Sequence, residues 1–224
     1  MKDLLLAIMA LVFVVCFVAL ADAETESEEE IDYDPYLVLV NKDHRLPDGW
    51  ENVVEIITVE NSLNEEIQIE KKTYEAFSLL RNELMKNYGI QIELDSVYRS
   101  VEEQQEIWDE WSVDPDKGED YCKKYLATPG YSEHHTGLAV DIFIMKNGKE
   151  IRENDDMIAD VEDFATIHEL LPIFGFILRY PEGKEDITGY AYEPWHFRYV
   201  NNPITSIAIS EAGITFEKFL GKVK

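Results

Sequence analysis

Residues 132–141 read Ser132-Glu133-His134-His135-Thr136-Gly137-Leu138-Ala139-Val140-Asp141, and Ile142-Phe143-Ile144 follow directly. From Leu138 to Ile144 large apolar residues recur at every second position, the two-residue period of a strand. Leu138, Val140 and Ile142 share one face; Ala139, Asp141 and Phe143 share the other. The apolar face can lie on a core while Asp141 points into a cavity. Gly137 permits a turn that brings His134 back beside Asp141, and the small Ala139 leaves room next to them. One imidazole and one carboxylate on converging backbone supply two of the three protein ligands of an open zinc site. The alternative is a loop histidine capped by a strand aspartate.

A second segment, Glu193-Pro194-Trp195-His196-Phe197-Arg198, carries the missing types. His196 supplies a third ligand, and Glu193 is the acid that an activated water needs as a base. Positions i and i+3 face opposite ways in a regular strand, and Pro194 argues against a helix. Both side chains can reach one metal only if the segment enters its strand through an irregular turn. The local alternative is a Trp-anchored strand start with a surface Glu and a buried His.

Around these segments the chain alternates short helices and strands. Tyr36 begins the folded part, with Leu37–Val40 read as a strand and 41–49 as a loop. Residues 70–88 show helical spacing through Tyr74, Phe77, Leu80 and Leu84, and Gly89 ends the helix. Ile90–Val97 reads as a strand, and Ser100-Val101-Glu102-Glu103 is a capping box that opens a helix to about Trp111. A helix near 120–126, a loop at 127–130, a helix at 161–171, strands at 176–179 and 196–200, and a mostly helical 204–220 complete the pattern. Without βαβ regularity this is α+β. One compact domain is expected, a small mostly antiparallel sheet flanked by helices with the zinc site at the sheet.

The 224 residues include 46% hydrophobic and 12% aromatic types, enough for a buried core. With 20 Lys+Arg against 46 Asp+Glu the formal net charge is -26, which excludes nucleic acid as an electrostatic partner. Leu4 to Ala21 is an unbroken apolar run with Lys2 before it and Ala21-Asp22-Ala23 at its end, the form of a secretory signal. Residues 1–23 are therefore expected to be a signal peptide, and the chain to be exported, extracellular or in the cell envelope. The run just reaches spanning length, so membrane anchoring through residues 4–21 is the competing expectation. Residues 24–35 read as a solvated acidic linker, and 36–224 as the catalytic domain. Cleavage after Ala23 leaves Cys122 as the single thiol, so no intramolecular disulfide is expected.

The two motifs, S-x-H-x-x-G-x-A-x-D at 132–141 and E-x-W-H at 193–196, resemble those of the VanY-type D-alanyl-D-alanine carboxypeptidases, zinc peptidases of the M15 group. Supporting segments occur in the same order: residues 36–47, Tyr98-Arg99-Ser100 with Gln104, 175–181 and 188–196. The resemblance covers residue 36 to the C-terminus. It implies one zinc ion per chain held by His134, Asp141 and His196, with Glu193 as catalytic base. It also implies that Arg99, Gln104 and Ser132 face the substrate, a peptidoglycan stem peptide. Independently, so acidic a chain needs a fork-shaped cation to hold a carboxylate-ended substrate, and Arg99 fits. Tyr98 and Trp195 are read as core or pocket wall. His44 and His168 are read as loop and helix-surface residues, and Arg179 and Arg198 as holding acidic loops. His135 is the competing ligand. Three readings stay open: a D,D- or L,D-carboxypeptidase, a cell-wall endopeptidase with the same site, and a zinc-containing wall-peptide binder without catalysis.

Overall fold

The computed structural model describes residues 34–61 and 63–223. The signal, the anchor and most of the acidic linker lie outside the described residues. Among those described, no helix is long and apolar enough to cross a membrane.

A five-stranded sheet positions the site. Its strands are β3 (Gln91–Ser96), β4 (Ala139–Lys146), β5 (Lys149–Ile151), β6 (Phe176–Leu178) and β7 (His196–Tyr199), in the order β3-β4-β7-β6 with β5 also on β4. Every pairing is antiparallel. A two-stranded hairpin, β1 (Ile56–Glu60) with β2 (Glu66–Glu70), stands apart from the sheet. The α+β expectation holds, since the helices do not alternate with the strands as parallel crossovers.

Helix α1 (Lys71–Tyr88) covers one face of the sheet. Phe77, Leu80 and Leu84 form its buried stripe, joining Ile92, Leu94, Val140, Ile142 and Ile144 in the main core. Each such side chain stabilises the fold by about 1.5–3 kcal/mol through burial. The helix starts where Glu70 turns back on it: Glu70 Oε2 accepts from the Thr73 N–H at 2.7 Å. It stops at Gly89, whose φ of 70° is left-handed backbone. Helix α2 (Val101–Val113) begins at Ser100 with both bonds of the capping box in place. It is followed by α3 (Gly118–Tyr125), α4 (Asn154–Ala159), α5 (Val161–Leu170), α6 (Glu185–Thr188), α7 (Pro203–Glu211) and α8 (Phe216–Phe219).

Three sequence expectations change or sharpen. Leu37–Val40 is not a strand. Pro35–Leu37 form a 3₁₀ turn, and the Tyr36 and Val38 carbonyls accept from Arg198 Nη2 instead of from a neighbouring strand. The mostly helical 204–220 resolves into two helices separated at Gly213, with φ 59°. The hairpin β1–β2 was not foreseen, although it explains Gly137. A Cβ on Gly137 would lie 2.6 Å from Ile56 Cδ1 and 3.1 Å from the Glu70 nitrogen, so the hairpin closes onto the site loop only over a glycine.

Candidate active site

His134 lies in a 3₁₀ turn, Glu133–Thr136, that Gly137 terminates with φ 72°. The Ser132 side chain caps this turn by accepting from the His134 N–H at 3.3 Å. Trp50 Nε1 anchors its far end by donating to the Thr136 carbonyl at 3.1 Å. Asp141 lies on β4 and pairs directly with His196, the first residue of β7. Glu193 precedes β7 by a turn in which the His196 N–H bonds the Glu193 carbonyl at 3.3 Å. That is the irregular entry that the Pro194 argument requires, and it puts Glu193 and His196 on one cavity.

The three expected ligands converge. His134 Nε2 is 3.1 Å from Asp141 Oδ2, and His196 Nδ1 is 2.8 Å from Asp141 Oδ1. One ligand atom from each lies within 4.8 Å of the others. His134 Nδ1–H donates to the Val97 carbonyl at 2.7 Å, so its Nε2 presents a lone pair to a carboxylate. Burial holds His134 below its ordinary pKa, against the pull of Asp141, which keeps that lone pair free. A lone pair facing a carboxylate is repulsive until a cation stands between them, and imidazole–carboxylate donor sets suit zinc. From the protein groups alone, burial opposes charge on His196 but Asp141 prevails and pushes it up to about 9. Asp141 itself is held well below the carboxylate range; burial opposes this, and the two histidines override it. The residues present fit a single zinc ion.

Glu193 is buried, and its Oε2 lies 3.8 Å from His196 Nδ1. Burial pushes its carboxyl up to about 8, with nearby Asp141 adding to the shift. A cation at the three ligands opposes that shift.

These groups line a cavity of about 250 Å³, together with Arg99, Ser132 and Trp195. Trp111, Tyr121, Tyr125, Tyr180 and Tyr190 add aromatic wall. Asp95 and Ser96 also reach it, because a bulge between Leu94 and Ser96 breaks the register of β3. Arg99 donates from Nη1 to Gln104 Oε1 at 2.7 Å and from Nη2 to Ser96 Oγ at 2.5 Å. Gln104 does not line the cavity. It is fully buried behind Arg99 and spends its amide on the Ala127 carbonyl at 2.6 Å, which places it to aim the arginine.

His135 is not a ligand in this arrangement. Its Nδ1–H donates to the Arg99 carbonyl at 2.6 Å, and its Nε2 accepts from the Gly130 N–H at 3.0 Å. His168 is half-buried: its Nε2–H donates to the Pro194 carbonyl at 2.8 Å, steadying the turn that carries Glu193. Arg179 and Arg198 do hold acids, but inside the protein, where both meet Glu133. Sequence reasoning passed over Glu133. Its only signal was its place between Ser132 and His134.

Two imidazoles and one carboxylate around a single point, with a buried acid beside them, define a one-metal hydrolase centre. The comparisons with known proteins narrow that class. A family profile described as VanY, D-alanyl-D-alanine carboxypeptidase, matches residues 66–202. A Bacillus subtilis chain, YodJ, named provisionally as a carboxypeptidase, is 41% identical over 195 residues, covering 84% of this chain and 68% of that one. The structure of the LD-carboxypeptidase LdcB is similar with a TM-score of 0.69 and 38% identity, over 84% of this chain and 87% of that one. The Zn(II) complex of the vancomycin-resistance D,D-pentapeptidase VanY is similar with a TM-score of 0.64 and 30% identity, over 83% and 99% of the two chains. The chain belongs to the VanY D-alanyl-D-alanine carboxypeptidase family.

Proposed function

We propose that this protein is a zinc carboxypeptidase that removes the C-terminal residue of peptidoglycan stem peptides. The observation that carries the reading is the convergence of His134, Asp141 and His196 beside buried Glu193, in a cavity that also holds Arg99. Zinc held by those three side chains supplies a Lewis acid with an open position, the chemistry that makes water a nucleophile near neutral pH. Glu193 takes the proton from the attacking water and returns it to the leaving amine. Arg99, its direction set by Gln104 and Ser96, pairs with the substrate's terminal carboxylate. Trp195 and the tyrosines form an apolar wall that limits water around the scissile bond. Ser132 reaches the same cavity while capping the His134 turn.

A purely binding role is disfavoured by Glu193, since a binder needs no base beside its metal. L,D-cleavage is the second reading, supported by the 38% identity to the LD-carboxypeptidase LdcB. Both use the same site and differ in the stereochemistry of the bond. Export is the matching localisation: the apolar run at 4–21 ending in Ala21-Asp22-Ala23 supports it. N-terminal sequencing is expected to find Glu24 first, and an intact Met1 would point to an anchor.

The activity is tested by free alanine released from synthetic peptides ending in D-Ala-D-Ala or L-Lys-D-Ala. Zinc-dependent release from either supports the reading and chooses the stereochemistry. A zinc-loaded protein that releases alanine from neither contradicts it.

A further inference from the structure

We propose that Glu133 is a positioning residue for the metal centre, holding His196 with its hydrogen on Nε2 so that Nδ1 turns to the metal. The proposal rests on the zinc reading above.

Glu133 is wholly buried, and its two oxygens have different surroundings. Oε1 accepts from Arg179 Nε at 2.8 Å and from Arg198 Nη1 at 2.9 Å. Among the described residues Oε2 has no hydrogen-bond partner; it lies 3.8 Å from His196 Nε2, which has none either. Two buried polar atoms that face each other unbonded are costly, and a small rotation of the imidazole closes the gap. With two guanidiniums on its other oxygen Glu133 is a carboxylate, so both atoms are satisfied when hydrogen sits on Nε2 and is donated to Oε2. The Nδ1 lone pair then points at Asp141 and the cation.

The two histidines are thus oriented by different devices. His134 uses the Val97 carbonyl, a fixed dipole. His196 uses a full negative charge, which makes the imidazole a stronger ligand. That charge is secured from behind. Arg179 and Arg198, buried with it, both form ion pairs with its carboxylate. Arg179 in turn grips Glu217 of α8 through Nη1 at 3.1 Å and Nη2 at 2.5 Å. Two carboxylates and two guanidiniums therefore balance in the interior. Buried ion clusters of this kind contribute little net stability against apolar packing, which leaves orientation as the benefit of this one.

Zinc affinity measured by competition with a chromophoric chelator separates the roles. Glu133→Gln keeps the shape but turns an amide donor toward Nε2, so it is expected to fold, by circular dichroism, and to bind zinc about 10–100-fold more weakly. Glu217→Gln disturbs the same cluster without facing His196, and is expected to lower the melting temperature while leaving zinc affinity unchanged. Nitrogen-15 NMR of the zinc-loaded wild type is expected to show hydrogen on His196 Nε2, a readout that does not need the variant to fold. Unchanged zinc affinity in folded Glu133→Gln, equal weakening in Glu217→Gln, or His196 bound through Nε2 overturns the proposal. A wild-type chain that holds no zinc overturns the zinc reading with it, whereas normal zinc binding beside any of those three results overturns this proposal alone.

Discussion

Asp141 and His196 stand directly opposite each other in the antiparallel register of β4 and β7, with Asp141 Oδ1 2.8 Å from His196 Nδ1. Two of the three metal-facing groups are therefore fixed by sheet pairing, the most rigid framework the fold offers. His134 arrives from a loop, but a capped 3₁₀ turn and Gly137 confine it.

Metal binding follows from that convergence. His134→Ala and His196→Ala should each strip zinc, read by elemental analysis of the purified protein. Chelation of the wild type should lower its melting temperature, because a ligand bound at about 100 times its Kd adds roughly 2.7 kcal/mol to the folded state. Full zinc content in both variants would remove the site.

As the proposed base, Glu193 would act on a proton and not on the metal. Glu193→Gln should retain zinc and substrate affinity and lose about 10²–10⁴-fold in kcat, the usual worth of general acid–base assistance. Wild-type turnover in that variant would mean that another group takes the proton.

As the proposed partner of the substrate's terminal carboxylate, Arg99 would give the enzyme its exopeptidase character. Amidating the substrate's C-terminus should reduce kcat/KM by on the order of 10²-fold, as expected when a desolvated charge pair loses one side. Arg99→Ala should abolish the preference while leaving zinc bound. Gln104→Ala should weaken it partly, since Gln104 only aims the guanidinium. Equal wild-type rates on acid and amide would point to internal cleavage instead.

Acid should unfold the protein through the Arg179 cluster. Glu133 and Glu217 both sit below the ordinary carboxyl value of 4.5 despite burial, held there by Arg179, and Glu133 also by Arg198. The folded state therefore binds fewer protons than the unfolded one. Their contribution is full above about pH 5 and is lost as pH falls through and below the carboxyl range. Arg179→Met should cost about 3–5 kcal/mol at neutral pH, by taking the ion-pair partner from Glu217 and leaving Glu133 with Arg198 alone. It should also flatten the fall in melting temperature between about pH 6 and pH 3. An unchanged acid profile in that variant would show that the cluster does not set it.

The site was more legible in the sequence than the fold around it. Gly137, Asp141 and the Glu193–His196 spacing announce their chemistry locally, because ligand types and turn residues must lie where the metal needs them. Helix α1 was equally plain, since the Phe77, Leu80 and Leu84 stripe and Gly89 are local signals. The Leu37–Val40 stretch misled because its apolar character is satisfied by packing while the Val38 carbonyl goes to Arg198, 160 residues away. Strand β5 went unread although Asn147-Gly148, both with positive φ, is a tight hairpin turn. The surroundings of Gln104 and His168 went unread for one reason: each makes a hydrogen bond to a distant backbone carbonyl, and no local pattern encodes such a partner.

The most direct measurement is mass spectrometry of purified muropeptides after incubation with the zinc-loaded protein, beside Glu193→Gln as the control. Loss of a single C-terminal alanine from the stem, in the wild type alone, is the predicted result. Stems left intact by zinc-loaded wild type, or cut at an internal bond, would contradict the account.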